Sequence, residues 1–373
     1  MNTSGADAEA GGPAPDCPEL GFYGLAGHTD DPRALLDEIT VAEEIGLGSV
    51  FLSERFDTKD AAALAGAAAA TSRTLGIGTA ATNPHTRHLL VTATMATTLH
   101  RLSRGRYALG LGRGFDVLFD LMGLPRVTSA RLEDTVDLLR TLWRGDAVVD
   151  HHGPAGDFPY LRRTAEGVDR IPILMVALGE RTLDLAGRVA DAVVLHTFFT
   201  DDTLARAVKT VRDAAEQAGR DPQSVRIWSV LATVDESIPE DLRLRKLTGR
   251  LATYLQGYGD VLVRANGWDP QVLHRFREDA EVRAHSGPID AAPTELLVHI
   301  RSLLPDEWLA ASATGSAAQC ATRIADQFDA GADSVILHGA TPSELVPVVA
   351  AWRTIRDPAR FVSLPANPGR STP

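Results

Sequence analysis

Three alternating glycines follow an apolar run in the segment RYALGLGRG, residues 106–114. Gly110, Gly112 and Gly114 leave bare backbone, which lets a ligand approach closely and leaves amides free to face an anion. The spacing lacks the third glycine of the dinucleotide fingerprint GxGxxG, and no Gly-Lys-Ser or Gly-Lys-Thr follows. The glycine run therefore predicts a ligand site that is neither a Rossmann fingerprint nor a P-loop. The alternative interpretation is a tight turn in which small residues avoid crowding.

Histidines near the ends of predicted strands are candidates for proton transfer, because imidazole titrates near neutral pH. Four residues have this placement: His28, His85, His196 and His338. We expect His196 and His338 to be the catalytic pair, since they follow their strands most directly. The His151–His152 pair is predicted to lie in a solvated turn, HHGPAG. No carboxylate–histidine cluster has ligand spacing, so no metal is expected.

Short apolar runs alternate with amphipathic helical patterns from Leu20 onward, and these elements must position the glycines and histidines. Eight runs are predicted strands, at 20–27, 49–54, 75–82, 107–114, 172–179, 191–197, 225–234 and 334–339. Continuous apolar strands, each followed by a helix, indicate a parallel sheet covered on both faces. Eight such units predict an α/β fold, a (β/α)8 TIM barrel, with an open doubly wound sheet as the alternative.

The connection between the seventh and eighth strands is roughly a hundred residues long, far beyond an ordinary loop. We predict an insertion between strands 7 and 8 over about residues 238–312, followed by a barrel helix at 316–330 capped by Ser316. The rest is predicted as a disordered tail at 1–18, one barrel domain at 19–356 and a C-terminal tail at 357–373. Three aromatic residues of the insertion are predicted either to cover a ligand or to form local core: Tyr254, Tyr258 and Trp268.

Composition excludes several classes of function. The net charge is −12 without a lysine-rich run, which argues against a nucleic-acid partner. No apolar stretch reaches membrane-spanning length and no secretion signal begins the sequence, so we expect no membrane partner and a cytoplasmic location. Cys17 and Cys320 lie far apart, as in a reduced protein. The three lysines all fall in predicted loops or helices, which argues against a Schiff-base enzyme.

The stretch GTAATNPHTRHLLVTATMATTLHRLS, residues 78–103, resembles the luciferase-like monooxygenase superfamily of flavin and deazaflavin oxidoreductases. Within it, TNPHTRH is similar to the TNPxTRHP of members that use coenzyme F420. RLSRGRYALGLGRG, LLRTLWRG and ALGERTLDLAGRVADAVVL match the family in the same order. The resemblance runs from about Leu20 to Arg353. SERF together with GLGRGFDVLFDLMGLPR resembles an uncharacterised F420-dependent subgroup.

The resemblance implies a cofactor at the C-terminal end of the barrel. A non-proline cis peptide between Ala80 and Ala81 would support the ring from behind, and Glu54 and Asn83 would contact the cofactor. Backbone amides after the fifth predicted strand would bind its phosphate. Glu180 stands there where many relatives have proline or glycine, and Arg181 could offset the repulsion between its carboxylate and the phosphate. The full set of implied cofactor contacts is Gly24, Glu54, Ala80, Ala81, Thr82, Asn83, Gly110, Gly112, Arg113, Gly114, Ala177, Leu178, Gly179, Glu180 and Arg181.

The activity implied is an F420-dependent oxidoreductase that transfers a hydride between the deazaflavin and a small carbonyl or enone substrate. Arg55 and Phe115 stand where the family's sugar-phosphate dehydrogenases have a histidine and a glutamate, which argues against that activity. Arg55 and Phe115 suggest a pocket for an anionic or carbonyl-bearing, partly aromatic substrate. The catalytic set is therefore Glu54, Arg55, His196 and His338. The alternatives are an FMN-dependent monooxygenase and a non-redox barrel that binds a phosphorylated metabolite; a homodimer is expected from the resemblance.

Overall fold

The computed structural model describes residues 15–26, 31–56, 58–164 and 170–369. The strands are β1 (Cys17–Tyr23), β2 (Leu47–Leu52), β3 (Gly76–Thr79), β4 (Tyr107–Leu111), β5 (Val148–Gly153), β6 (Gly156–Leu161), β7 (Ile173–Val176), β8 (Ala192–Val194), β9 (Arg226–Asp235), β10 (Ser312–Gly315) and β11 (Ser334–His338). Eight of them form a parallel barrel in the order β9, β11, β1, β2, β3, β4, β7, β8. Pairing of β8 with β9 closes the barrel. The predicted TIM barrel is confirmed, and the open doubly wound alternative is wrong.

The helices cover the outside of the barrel and form the insertion. They are α1 (Ala34–Glu44), α2 (Ala61–Thr71), α3 (Leu89–Leu102), α4 (Asp116–Leu121), α5 (Ser129–Trp143), α6 (Glu180–Val189), α7 (Asp201–Gln217), α8 (Glu240–Leu244), α9 (Arg250–Asn266), α10 (Pro270–Glu278), α11 (Ala280–Ala284), α12 (Thr294–Leu303), α13 (Asp306–Ala310), α14 (Ala317–Asp329) and α15 (Pro342–Ile355). Ser316 caps α14 with a reciprocal Gln319 contact, as its sequence predicts. No helix in the described ranges is long and apolar enough to cross a membrane.

Three stretches differ from the predicted elements. β1 begins at Cys17, inside the stretch predicted to be a tail; residues 1–14 of that tail lie outside the described residues. β5 and β6 form an antiparallel hairpin, so His151 and His152 lie in a strand and not in a turn. β10 was not predicted, and it pairs with the end of β9 beyond the point where β11 stops.

The interior of the barrel is filled by side chains that alternate along the strands. The buried set is Phe51, Ala80, Ala108, Leu174, Ala192, Val194, Trp228, Val230 and Ile336. At the N-terminal end of the strands, the segment predicted as a C-terminal tail packs against this set. Trp228 donates its indole N–H to the carbonyl of Pro368 at 2.7 Å. The interior is thus closed at one end, and a ligand must enter from the C-terminal ends of the strands, here called the barrel mouth.

The insertion between β9 and β11 packs over the barrel mouth. Its longest helix, α9, follows a π-helical turn at Arg245–Gly249 and is kinked at Tyr258. Trp268 stacks on Trp308 with ring centroids 4.5 Å apart, so this pair is local core of the insertion. This contact fits the local-core alternative for Trp268, whereas Tyr254 and Tyr258 lie at the barrel mouth, against His196.

Candidate active site

A bulge after β3 shapes one side of the barrel mouth. The peptide between Ala80 and Ala81 is cis, as the resemblance implies. Beyond it the chain rejoins β4: the Thr82 amide donates to the carbonyl of Gly110, and the Gly112 amide donates to the carbonyl of Thr82, both at 2.9 Å. The bulge is therefore fixed on both sides by sheet hydrogen bonds.

Gly110 and Gly112 are glycine for different reasons. A Cβ on Gly110 would lie 1.7 Å from the carbonyl oxygen of Thr79, so glycine is needed there for β4 to pack against β3. A Cβ on Gly112 would meet the Cβ of Ala81 at 2.8 Å and that of Val176 at 3.7 Å. Gly112 and Ala81 thus form a shallow surface of small groups that a flat ring can lie against. Gly114 has a positive φ of 65° and faces Phe119.

Glu54 lies at the end of β2 and is held by several groups. Its carboxylate accepts hydrogen bonds from the Thr82 hydroxyl at 2.7 Å and from the Ala61 amide at 3.1 Å, and it pairs with Arg87. The Glu54 side chain is 7% exposed. This network joins the loop after β2 to the bulge after β3. Glu54 is therefore anchored as a positioning group, because its oxygens are already used by the protein.

Two other residues of the implied cofactor set make local contacts. Asn83 accepts hydrogen bonds from the amides of His85 and Thr86 and donates to the Thr86 hydroxyl at 3.1 Å, which closes the turn of the NPHT segment. Gly24 follows β1, but a Cβ there would point among Leu35, Val50 and Leu52 in the core. Neither the Asn83 side chain nor a Cβ on Gly24 would face the space beside Ala81.

The start of α6 offers unpaired backbone amides next to Gly112. Ala177 is excluded because its amide donates to Val194 at 3.0 Å within the sheet. Gly179 is the N-cap and has no side chain to occupy the first amides of the helix. The amides of Leu178, Gly179, Glu180 and Arg181 remain free of acceptors within the described part of the chain. A helix N-terminus of this kind binds anions well. The side chains of Glu180 and Arg181 are exposed.

Arg113 extends away from this helix. Its Nε donates to the carbonyl of Val127 at 3.0 Å, in the loop between α4 and α5, and the residue is exposed. Its terminal nitrogens remain available to a group outside the barrel mouth. Its contact with Val127 directs the side chain toward the loop between α4 and α5.

His196 and His338 come together on the opposite wall through Thr197. The His196 Nδ1 donates to the carbonyl of Thr197 at 2.7 Å, so its Nε2 accepts from the Tyr258 hydroxyl at 2.6 Å. The Thr197 hydroxyl lies 2.8 Å from Nδ1 of His338. Burial lowers the pKa of His196 to about 4 and that of His338 well below its usual value. Both rings are therefore neutral at pH 7.

The remaining histidine candidates lie elsewhere. His85 packs on Phe119, with ring centroids 5.5 Å apart, beneath α4. His151 pairs with Asp134 at 3.0 Å in the hairpin. His28 lies outside the described residues. Among the candidates that the structure describes, the two histidines ranked first from the sequence face the barrel mouth.

Aromatic rings cover His196 from the insertion. Tyr254 and Tyr258 stack with centroids 5.5 Å apart, and Phe115 lies 5.1 Å from Tyr258. A Cβ on Gly257 would meet the Phe115 ring at 2.5 Å, so this glycine lets the ring pack against α9. Phe115 occupies the place where sugar-phosphate dehydrogenases of the family are expected to have a glutamate, and here it supplies an apolar wall.

Sequence reasoning predicted Arg55 but missed two further cations near it. Arg250, at the first turn of α9, and Lys59, after β2, are both buried, and Arg55 is half-buried beside them. The α9 sequence gives no sign that Arg250 is buried, since an arginine at the first turn of a helix is ordinarily exposed. Only the fold brings these groups from separate elements together.

A family model for the luciferase-like monooxygenases matches residues 10–334. The chain belongs to this family. It is similar to the 5,10-methylenetetrahydromethanopterin reductase of Methanolobus tindarius, with 30% identity over 236 residues, which are 62% of this chain and 70% of that protein. As a member of this family with reductase relatives, the chain is an oxidoreductase, and the non-redox alternative is wrong.

Solved structures of luciferase-like enzymes share the fold. The coenzyme F420-dependent tetrahydromethanopterin reductase from Methanopyrus kandleri superposes with a TM-score of 0.76 at 21% identity, covering 90% of this chain and 98% of that one. An F420-dependent secondary alcohol dehydrogenase with an F420-acetone adduct superposes with a TM-score of 0.71 at 18% identity, covering 91% and 99%. A riboflavin lyase with modified FMN reaches 0.65 at 18% identity, covering 90% of each chain.

Proposed function

We propose that this oxidoreductase binds coenzyme F420 at the barrel mouth and transfers a hydride between it and a small carbonyl or enone substrate. The proposal rests on the contact between Ala81 and the bare face of Gly112, next to the free amides at the start of α6. The small groups fit one face of a planar ring, and the amides fit an anionic tail. Relatives named as F420-dependent enzymes support the choice of cofactor.

The alternative cofactor is FMN, since a structural neighbour holds a modified FMN. A deazaflavin has carbon in place of the flavin nitrogen that helps to activate oxygen, so when bound it supplies hydride chemistry. The TNPHTRH segment favours the deazaflavin. In the folded chain its asparagine and threonine close a turn directly after the bulge, so the segment shapes the ring site.

The chain's own residues would orient the substrate and manage its proton. Tyr258 keeps its proton, because burial raises the pKa of its phenol well above the usual value. Its hydroxyl proton points to His196 Nε2, and the neutral His196 is fixed in one tautomer by Thr197. A substrate carbonyl oxygen that takes the place of His196 Nε2 as the acceptor would receive the hydrogen bond of the Tyr258 hydroxyl. Tyr254 and Phe115 would exclude water from the same space.

Titration of the purified protein with F420 and with FMN tests the proposal. We expect saturable binding of F420, and oxidation of reduced F420 when a panel of ketones and enones is added. Tight FMN binding without any response to F420 would overturn the choice of cofactor. Binding of F420 without turnover of any carbonyl or enone would overturn the choice of substrate.

A further inference from the structure

Arg250 is a buried arginine without a partner in the part of the chain that the structure describes. Its side chain is at the first turn of α9, the residue is 6% exposed, and its Nε has no hydrogen bond. Throughout the described ranges, no carboxylate or carbonyl pairs with its guanidinium. A buried charge without a partner is costly, so native proteins rarely keep one without a function. Arg250 is therefore poised for a negative group that the folded chain does not supply.

The guanidinium of Arg250 faces the barrel mouth. The nearest backbone on one side is Gly339, directly after β11, whose hypothetical Cβ would lie 4.0 Å from the Arg250 Nε. After burial itself, the positive charge of Arg250 is the largest cause that lowers the pKa of His338. Tyr23 and Tyr258 also lie within reach of this charge. The rings that these interactions place near Arg250 are neutral histidine and tyrosine, which do not balance its charge.

Two more cations lie on this wall. Arg55 follows β2, is half-buried, and has no side-chain partner among the described residues. Lys59 donates to the carbonyl of Leu25 and is 8% exposed. Burial, and then the charge of Arg55, lowers the pKa of Lys59 to about 8. The carboxylate of Glu38 accepts a hydrogen bond from the amide of Leu25 at 2.8 Å, and its charge opposes the lowering of the Lys59 pKa by less than burial and Arg55 lower it.

The position of these cations separates them from the amides of α6. They surround β11, β1 and the loop after β2, whereas α6 follows β7. In the closed order of eight strands, β1 and β7 are four places apart and face each other across the barrel. An anion at Arg250 is therefore a second negative group, distinct from one bound at the start of α6.

We propose that Arg250 and Arg55 bind a carboxylate of the substrate, which makes the substrate a conjugated or aromatic carbonyl compound bearing an acid group. This assignment rests on the proposed function for the transfer step, but the anion site itself does not depend on it. The flat part of the substrate fits the rings beside Arg250: Tyr23 and His338 have centroids 4.6 Å apart, and Tyr254 stacks on Tyr258. Lys59 adds positive charge without direct contact.

Calorimetric titration with three probes tests the anion site: benzoate, its neutral isostere benzyl alcohol, and phenyl phosphate. We expect benzoate to bind the wild-type protein at least about tenfold more tightly than benzyl alcohol, and Arg250→Met to weaken benzoate about tenfold or more while leaving benzyl alcohol unchanged. Phenyl phosphate that binds more tightly than benzoate would overturn the choice of a carboxylate. Arg245→Gln removes one charge five residues earlier and is the matched control, expected to bind benzoate as the wild type does.

Thermal melting and F420 titration of the same variants test two other roles for Arg250. It could stabilise the fold, or it could bind the cofactor and not the substrate. Arg250→Met is expected to melt at the same or a higher temperature, because it removes an uncompensated buried charge. A lower melting temperature together with unchanged benzoate binding would make Arg250 a structural residue and overturn the proposal. Loss of F420 binding in Arg250→Met would assign the arginine to the cofactor instead. If F420 fails to bind the wild type while benzoate behaves as described, the proposal of F420 as the cofactor falls and the anion site stands.

Discussion

Single residues decide what the barrel mouth can hold. Gly110 and Gly112 belong to one alternating run, yet Gly110 is required by the backbone of β3 and Gly112 by the methyl group of Ala81, which packs against it. The sequence predicted that the glycine run has a role at a ligand site. It could not distinguish the two glycines, because the difference depends on which atoms of the neighbouring strand a Cβ at each position would meet.

Replacement of Gly112 by valine is expected to abolish cofactor binding and leave the fold largely intact. The added methyl groups occupy the surface over Ala81, and overpacking of this size costs about 1–3 kcal/mol of stability. Fluorescence titration with F420 and circular dichroism measure the two effects. Gly66→Ala is the control, since a Cβ there meets only Leu99, at 3.9 Å. Wild-type affinity in Gly112→Val would mean that the glycine is only structural.

His196 is also expected to make stability depend on pH. Its pKa is about 4 in the folded protein against about 6.5 in an unfolded chain, so the unfolded state binds more protons between these values. The stabilisation that comes from keeping His196 neutral is complete above pH 6.5 and is lost as the pH falls toward 4. His338 acts in the same direction because its pKa is lowered too.

Urea unfolding at pH 7 and pH 5 measures this effect. We expect His196→Asn to lose less stability between these two pH values than the wild type does, by roughly 2 kcal/mol, since 1.5 pKa units separate pH 5 from the unfolded value. His274→Asn, at an exposed position of α10, is the control and is expected to keep the wild-type dependence. An identical loss in His196→Asn and the wild type would show that His196 is protonated in the folded protein at pH 5.

Among the secondary-structure elements, the start of α6 is the feature that favours an anionic tail. Its first amides are free of acceptors in the described ranges, Gly179 provides no capping side chain, and the carboxylate of Glu180 lies at the same end. That carboxylate is expected to oppose a bound phosphate.

Glu180→Gln is therefore expected to strengthen F420 binding by about two- to fivefold at low salt, and Arg181→Gln to weaken it similarly. Both effects should shrink at high salt, because exposed charges are screened. Titrations at two salt concentrations check this, with Glu216→Gln near the end of α7 as a remote control. F420 affinities that are the same in both variants as in the wild type would show that the phosphate binds elsewhere.

The elements that could be predicted were those with a buried, periodic pattern. Continuous apolar runs followed by amphipathic helices predicted the barrel, and Ser316 predicted a helix start. The β5–β6 hairpin was missed because its strands expose most of their side chains, and β10 because four residues carry too little pattern. Arg250 was not predicted to join Arg55, because α9 and the loop after β2 are far apart in the sequence.

Across the whole molecule, the C-terminal segment closes the barrel opposite the mouth. Arg226 is fully buried and donates to the carbonyls of Pro365 and Asn367 at 3.0 and 2.9 Å. The side-chain Nδ2 of Asn367 donates to the carbonyls of Gly105 and Tyr107 at 2.7 and 2.9 Å. The C-terminal segment thus links the start of β4 to the start of β9 at the closed end of the barrel.

Truncation before Pro365 is expected to lower the free energy of unfolding by about 3–5 kcal/mol, because it leaves the Arg226 charge buried with fewer acceptors. Denaturant unfolding measures the loss. Val362→Ser, at an 87% exposed position just before the segment, is the control and should be nearly neutral. A truncated protein as stable as the full chain would show that the closure contributes nothing to stability.

The bulge after β3, the end of β4 and the start of α6 form, in our proposal, one site for a planar redox ring with an anionic tail. A crystal structure of the protein with F420 bound would decide whether they do. We expect the ring against Ala81 and Gly112, the phosphate on the amides of residues 178–181, and the open face of the ring toward Arg250 and His338. A ring bound away from Ala81, or a tail that leaves the start of α6 empty, would contradict this assignment.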